Sequence, residues 1–252
     1  MIEILILSLL QGITEFIPVS SSSHLIIFSE FFNFENKNLS LDVSLHIGSF
    51  IAVVTFFYKD IKNFIKNKYL FLKIFISSLP VMGVGYILVK TNLIYQLRNI
   101  ELIGWTTLIF GILLFFSDKF EMKKNLEHNF TIKSAIIIGF FQILSLVPGV
   151  SRSGITITAA RILKFNRFDS VKISFLLSIP TLAMISIYGF YNIINSDNIN
   201  ISTLNLIAIF LSFIFSFITI KFFLSFIKTF NLNLFVYYRI ILGILILILS
   251  AL

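Results

Sequence analysis

Apolar stretches of roughly 20 residues, separated by short polar segments, recur from one end of the sequence to the other. A helix of that length spans a hydrocarbon layer of about 30 Å. Six such runs stand out, at about 42–58, 69–90, 100–117, 170–192, 203–227 and 234–252. Two further apolar regions, 2–32 and 131–163, are broken near the middle by a proline and a serine cluster. Each half of these regions is too short to cross a bilayer. Irregular backbone at membrane depth survives only where it is buried in protein or lines a polar cavity. The pattern therefore predicts an all-α polytopic membrane protein, with six full transmembrane helices and two re-entrant helix-loop-helix hairpins. No polar stretch is long enough for a soluble domain, so residues 1–252 read as one membrane domain.

Composition sharpens this reading. Apolar residues make up 57 % of the chain and charged residues 13 %, with a mean hydropathy of +0.96. Soluble domains run near half apolar and a quarter charged, so this chain lacks the charge to cover a soluble surface. The 31 phenylalanines carry no functional meaning of their own. With no cysteine, disulfides, thiolate catalysis and cysteine zinc sites are excluded. The N-terminus does not read as a signal peptide, because no basic residue precedes the apolar run and Gln11 and Glu15 interrupt it.

The formal net charge of +8 sits in short loops, without the interleaved aromatics of a nucleic-acid face. If both hairpins return to their starting side, the segments 59–68, 118–130, 164–172 and 228–233 share one face. They carry Lys59, Lys62, Lys119, Lys123, Lys124, Lys164, Arg167, Lys172 and Lys228, whereas the opposite face has Lys37, Lys90 and Arg98, and no basic residue around Asp197. The positive-inside rule makes the first face cytoplasmic and puts both termini outside. The first hairpin then enters from outside and the second from the cytoplasm. Their sequences echo one another: Gln11 precedes Ser20-Ser21-Ser22 as Gln142 precedes Ser151-Arg152-Ser153, with the proline offset by one. Opposite insertion with internal similarity predicts an inverted repeat with its site at the midplane.

The two broken segments also carry the chemistry. In QGITEFIPVSSSSH, residues 11–24, Gln11 and Glu15 share a helical face, Pro18 ends the helix, and His24 falls early in the next one. Glu15 is a carboxylate flanked on both sides by long apolar sequence, and an ionisable group at that depth marks a functional site. In VPGVSRSGITIT, residues 147–158, Pro148-Gly149 breaks the chain and a helix begins at Ser151 or Ser153. Arg152 is thereby held beside a helix N-terminus with hydroxyls from Ser151, Ser153 and Thr156. Fixed guanidinium donors and free helix N–H groups form an oxyanion cradle, and Gly154 keeps one face open. Two such helix ends at the midplane suit a diphosphate on an apolar tail. His46 reads as a hydrogen-bonding residue, buried or facing a lumen, and His128 as solvated.

QGITEFIPVSSSSHL with a downstream PGVSRSGIT resembles the bacterial undecaprenyl-diphosphate phosphatase family, also called bacitracin-resistance proteins, over essentially the full chain. The resemblance implies an inner (plasma) membrane enzyme that removes one phosphate from undecaprenyl diphosphate, recycling the lipid carrier for cell-wall synthesis and conferring bacitracin resistance. It also implies a divalent cation, Mg²⁺ or Ca²⁺. By position the family's acidic element falls on Gln11 and Glu15, as metal ligands, with glutamine where many relatives have a second acid. The serine–histidine element falls on Ser20, Ser21, Ser22 and His24, and the arginine motif on Ser151, Arg152, Ser153 and Thr156. Ser23 adds a hydroxyl where relatives usually have glycine or alanine.

The expected roles are catalytic for Glu15, Ser21, His24 and Arg152, and substrate-binding for Ser20, Ser22, Ser151, Ser153 and Thr156. The nucleophile is left open among His24, Ser21 and an activated water. The expected partners are a lipid diphosphate and the membrane, with no nucleic acid; a homodimer is compatible with the sequence. A polyprenyl-phosphate transporter or flippase is the alternative. The outward-opening first hairpin places hydrolysis at the periplasmic or outer face.

Overall fold

A computed structural model describes residues 1–32, 39–66, 68–195 and 202–251. Asn36, Lys37 and Asp197 lie outside the described residues. The first broken region is α1 (Ile2–Thr14) and α2 (Ser21–Phe31). At 13 and 11 residues they rise about 20 Å and 17 Å, too little to cross. After them come α3 (Leu39–Phe56), α4 (Tyr58–Lys66), α5 (Lys68–Lys90), α6 (Leu93–Gln96), α7 (Ile100–Asp118) and α8 (Leu126–Asn129). The second broken region is α9 (Ile132–Ile143), a 3-10 turn at Leu144–Leu146, and α10 (Arg152–Ile162). Then α11 (Arg167–Ile194), α12 (Thr203–Thr229) and α13 (Asn233–Ala251) complete the chain.

Among the described residues, α3, α5, α7, α11, α12 and α13 are the six helices long and apolar enough to cross a membrane, close to the six predicted runs. The protein is a multi-pass α-helical membrane protein. The segment 59–68, read as a loop, is instead mostly the helix α4. Large apolar side chains such as Ile109, Phe116, Phe210, Phe222, Ile241 and Ile248 point outward, as lipid requires. The interior is built around fully buried Phe16, Phe175 and Phe223, with Phe16 meeting Phe175 edge-on at 5.3 Å.

The packing follows the repeat. The short helix α1 lies on α12, and its counterpart α9 lies on α5. Likewise α3 contacts α12 while α11 contacts α5, and the pairs α3–α11 and α7–α13 map onto themselves when the halves are exchanged. The backbone repeats too. Ser20 and Ser151, nine residues after Gln11 and Gln142, both take positive φ, 77° and 68°, immediately before α2 and α10. Non-glycine residues occupy that region only when their surroundings impose it. The echo between the two hairpins is therefore conformational as well as sequential. Helix α1 stops at Thr14, ahead of Pro18, and α10 begins at Arg152 with Ser151 Oγ accepting from Gly154 N at 3.1 Å.

The predicted basic segments meet on one face. Lys172 Nζ bonds Asp60 of α4 at 2.7 Å, and Arg167 makes two bonds to buried Asp118, at 2.8 and 3.0 Å. Arg161, fully buried, donates to the carbonyls of Phe165, Asp118 and Phe120, where α7 and α10 end. Asp118 Oδ2 also accepts from Leu232 N at 3.4 Å, tying in the start of α13. Terminal carbonyls of helices have no partner within the helix, and at the edge of a membrane a guanidinium supplies the donors.

Removing Asp118 would leave Arg161 a buried cation without its counter-ion. Asp118→Ala is expected to cost about 3–5 kcal/mol, seen as a lower thermal midpoint in detergent. An unchanged midpoint would show that the carbonyls alone satisfy Arg161.

Candidate active site

The tips of the two hairpins touch. Ser153 Oγ donates to the Ile17 carbonyl at 2.9 Å, and Arg152 Nη2 donates to Glu15 Oε1 at 2.7 Å. A third element binds both tips: Arg239 of α13, fully buried, donates to the carbonyls of Gly149 at 2.8 Å, Val150 at 3.0 Å, Pro18 at 3.4 Å and Thr107 at 3.3 Å. Gly149 turns the second tip with φ of 94°, a conformation other residues resist. The open face expected at Gly154 belongs to Arg239: a Cβ there would lie 2.7 Å from its Nη1. Sequence reading missed Arg239, although it is the one charged residue in the last apolar run.

Around this junction lies a polar chamber of about 170 Å³. Glu15, Ser20, Ser21, Ser22, Ser151 and Arg152 line it, as expected. Ser21 Oγ donates to Glu15 Oε2 at 2.6 Å, so the hydroxyl and the carboxylate already share a proton path. Gln11 lies behind Glu15, outside the lining, and its Nε2 donates to the same Oε2 at 3.0 Å. Glu15 is thus oriented by Gln11, Ser21 and Arg152 together.

Three expected residues face elsewhere. His24 Nδ1 bonds the Ser20 carbonyl at 2.7 Å, so that nitrogen carries the hydrogen and Nε2 accepts from Tyr238 Oη at 2.6 Å. The ring also stacks on Tyr238, 5.8 Å between centroids. Both nitrogens are engaged, and neither bonds Ser21. Ser153 joins the two tips instead of lining the chamber. Thr156 Oγ1 bonds Ser174 Oγ at 2.7 Å and packs α10 on α11. The added hydroxyl of Ser23 bonds Ser20 Oγ at 2.9 Å, inside the turn.

The chamber opens into a second, mostly apolar cleft of about 410 Å³. Seven residues line both spaces and form the neck between them: polar Ser22, His46, Ser145 and Thr181, with apolar Val81, Leu146 and Ile185. Beyond it the walls are Leu25, Ile26, Met82, Val89, Met184 and Tyr188, with Arg98 and Asp42 at the far end. These residues come from the start of α3, the end of α5, the segment before α7 and the last turns of α11, so the cleft opens away from the basic face. His46 faces this lumen, while His128 is exposed. Gln142, Ser145 and Thr181 were not expected at the site; of these, Gln142 had a signal, its place in the repeat.

An oxygen-liganded divalent ion fits this donor set at one point. Glu15 is the acidic residue lining the chamber, and no group of three His, Asp or Glu side chains is arranged for a metal among the described residues. The ion would be held by Glu15 and by oxygens of the ligand, with Gln11 behind it.

The family model of bacitracin resistance protein BacA matches residues 4–245. An undecaprenyl-diphosphatase of Pelagibacter ubique (strain HTCC1062) is 49 % identical over 248 residues, covering 98 % of this chain and 96 % of that protein. An undecaprenyl-diphosphatase of Saccharophagus degradans is 38 % identical, covering 94 % and 93 %, and one of Jannaschia sp. is 34 % identical, covering 97 % of each. With the hairpins, their junction and full-length relatives in agreement, this chain belongs to the bacitracin resistance protein BacA family.

Proposed function

We propose that the protein hydrolyses undecaprenyl diphosphate to undecaprenyl phosphate and inorganic phosphate in the bacterial plasma membrane. The observation that carries this is the Ser21–Glu15–Arg152 cluster at the inner end of a cleft whose walls beyond it are mostly apolar. The names of the relatives support the same substrate. The polyprenyl tail lies along the apolar cleft and the diphosphate enters the polar chamber. Arg152 turns its donors to the terminal phosphate, joined by the N–H groups at the starts of α2 and α10, and they stabilise charge as it develops on the transferred group.

Ser21 Oγ attacks the terminal phosphorus while Glu15 takes its proton. The bond to the bridging oxygen breaks and the lipid phosphate leaves with the proton that Glu15 took up; water then cleaves the phosphoserine, its proton passing through Glu15 back to the Ser21 oxygen. His24 supports this by fixing the Ser20 carbonyl and the start of α2. Glu15 would hold a divalent cation that accompanies the diphosphate, and such an ion would supply charge neutralisation there. Transport alone leaves the Ser21–Glu15 bond without a task.

Phosphate release from undecaprenyl diphosphate in detergent tests the reading. Wild type is expected to be active and to stop when the cation is chelated. Ser21→Ala and Glu15→Gln are each expected to lose at least about 100-fold in kcat, and Arg152→Ala a similar factor in kcat/KM. Wild type that stays folded and releases no phosphate would overturn it. A Ser21→Ala variant with full kcat would make water the nucleophile. Expression of the active enzyme is expected to raise bacitracin tolerance in cells.

The cleft is proposed to open at the outer face, as the basic residues on the other side imply. The chain has no cysteine, so a single introduced thiol reports cleanly. A membrane-impermeant maleimide is expected to label Thr91→Cys in intact cells and to spare Lys123→Cys. The reverse pattern would turn the protein over.

A further inference from the structure

One polar side chain in the chamber has no task in the reaction above. Gln142, on α9, lines the chamber and is fully buried, and neither its Oε1 nor its Nε2 has a hydrogen-bond partner among the described residues. An unpaired amide in a membrane interior is expensive to keep.

The repeat explains how it comes to be unpaired. Gln142 corresponds to Gln11, whose Nε2 is taken by Glu15, four residues on. Four residues beyond Gln142 is Leu146, which offers no acceptor. The second half of the protein keeps the glutamine and lacks the acid, so the amide is left unpaired in the chamber wall, its polar atoms covered until the side chain turns inward.

Its location indicates what it meets. The transferred phosphate lies against Ser21, Glu15 and Arg152, which line the inner chamber, and the tail leaves through the outer cleft. The phosphate that stays on the lipid therefore sits between them, towards the neck. On that wall Ser145 Oγ donates to the Gln142 carbonyl at 2.7 Å, and Thr181 Oγ1 donates to the Leu177 and Ser178 carbonyls, each at 3.1 Å. Those hydroxyl protons are engaged. The Gln142 amide is the donor left over on this side.

We propose that Gln142 binds the phosphate that remains on the lipid, donating from Nε2 to one of its oxygens, and so holds the leaving group rather than the transferred group. The ligand's identity rests on the diphosphatase reading; the division of the chamber into two phosphate subsites goes beyond it.

The test uses the full chain in detergent and Gln142→Met, which keeps the length and removes the polar atoms. Binding of undecaprenyl monophosphate, which carries only the retained phosphate, is expected to weaken about tenfold. Inhibition by inorganic phosphate, which occupies the transferred-phosphate subsite, is expected to change less. The melting temperature is expected to hold or rise, because a buried unpaired amide is gone. Gln142→Asn, which keeps the amide but draws it back, is expected to weaken monophosphate binding in the same way, and it decides the matter if the Met variant does not purify. Monophosphate binding within about twofold of wild type, or a lowered melting temperature with binding intact, would overturn the proposal and make Gln142 a packing residue. Because binding needs no turnover, wild type that binds the monophosphate yet releases no phosphate would sink the diphosphatase reading alone.

Discussion

Breaking a helix inside a membrane leaves carbonyl groups with no water to satisfy them, and this protein answers with buried guanidinium groups. Arg239 is the central case. It bonds carbonyls on both hairpin tips, Pro18 on one and Gly149 and Val150 on the other, from a position where none of its surface is exposed. Burying a cation this deep is costly unless its donors are used. Here Nη1 and Nη2 serve the two breaks in the chain, and Nε bonds the Thr107 carbonyl within α7. Without that clamp, the two strained turns at Ser20 and Ser151 would be held together only by the Ser153–Ile17 and Arg152–Glu15 bonds. Arg161 solves the same problem at the basic face, where α7 and α10 end.

Holding the tips fixed makes the chemistry possible. Each half of the repeat brings a helix start to the midplane, and the halves have then diverged. The first supplies the carboxylate and the serine; the second supplies the arginine. Arg152 reaches across to Glu15, so the cluster exists only when both hairpins are seated. Near-symmetry of backbone with asymmetry of side chains gives one chamber with an acid–base side and a cationic side. A symmetric pair of sites would put like charges together, and neither could activate a hydroxyl against a phosphate.

The route to that chamber follows from the same architecture. Beside the first hairpin, where α1 ends and α2 begins, apolar side chains of α2, α5 and α11 make a cleft continuous with the polar end. A ligand that is anionic at one end and apolar along the rest matches both halves of this space. The neck, where Ser22, His46, Ser145 and Thr181 mix with Val81, Leu146 and Ile185, marks where one solvent regime gives way to the other.

The sequence by itself determined the six crossings, the two broken segments and the side on which the basic residues gather, because each follows from local hydropathy and charge. It also singled out Glu15, Ser21 and Arg152, which line one chamber, since polar groups surrounded by long apolar runs need a reason to be there. Which atoms those groups meet was decided by the tertiary structure alone. His24, three residues from Ser21, shares its helical face, yet it is drawn to Tyr238, 214 residues away, and Glu15 becomes the partner of Ser21. Ser153 and Thr156 carry the same hydroxyl as Ser151 and still serve packing, because a helix turns each neighbour to a different side. Gln11 and Gln142 read alike along the chain, and only the fold puts one behind a carboxylate and leaves the other unpaired in the chamber wall. Periodicity and burial are properties of a segment. A hydrogen-bond partner belongs to two segments at once, and their meeting is fixed by packing.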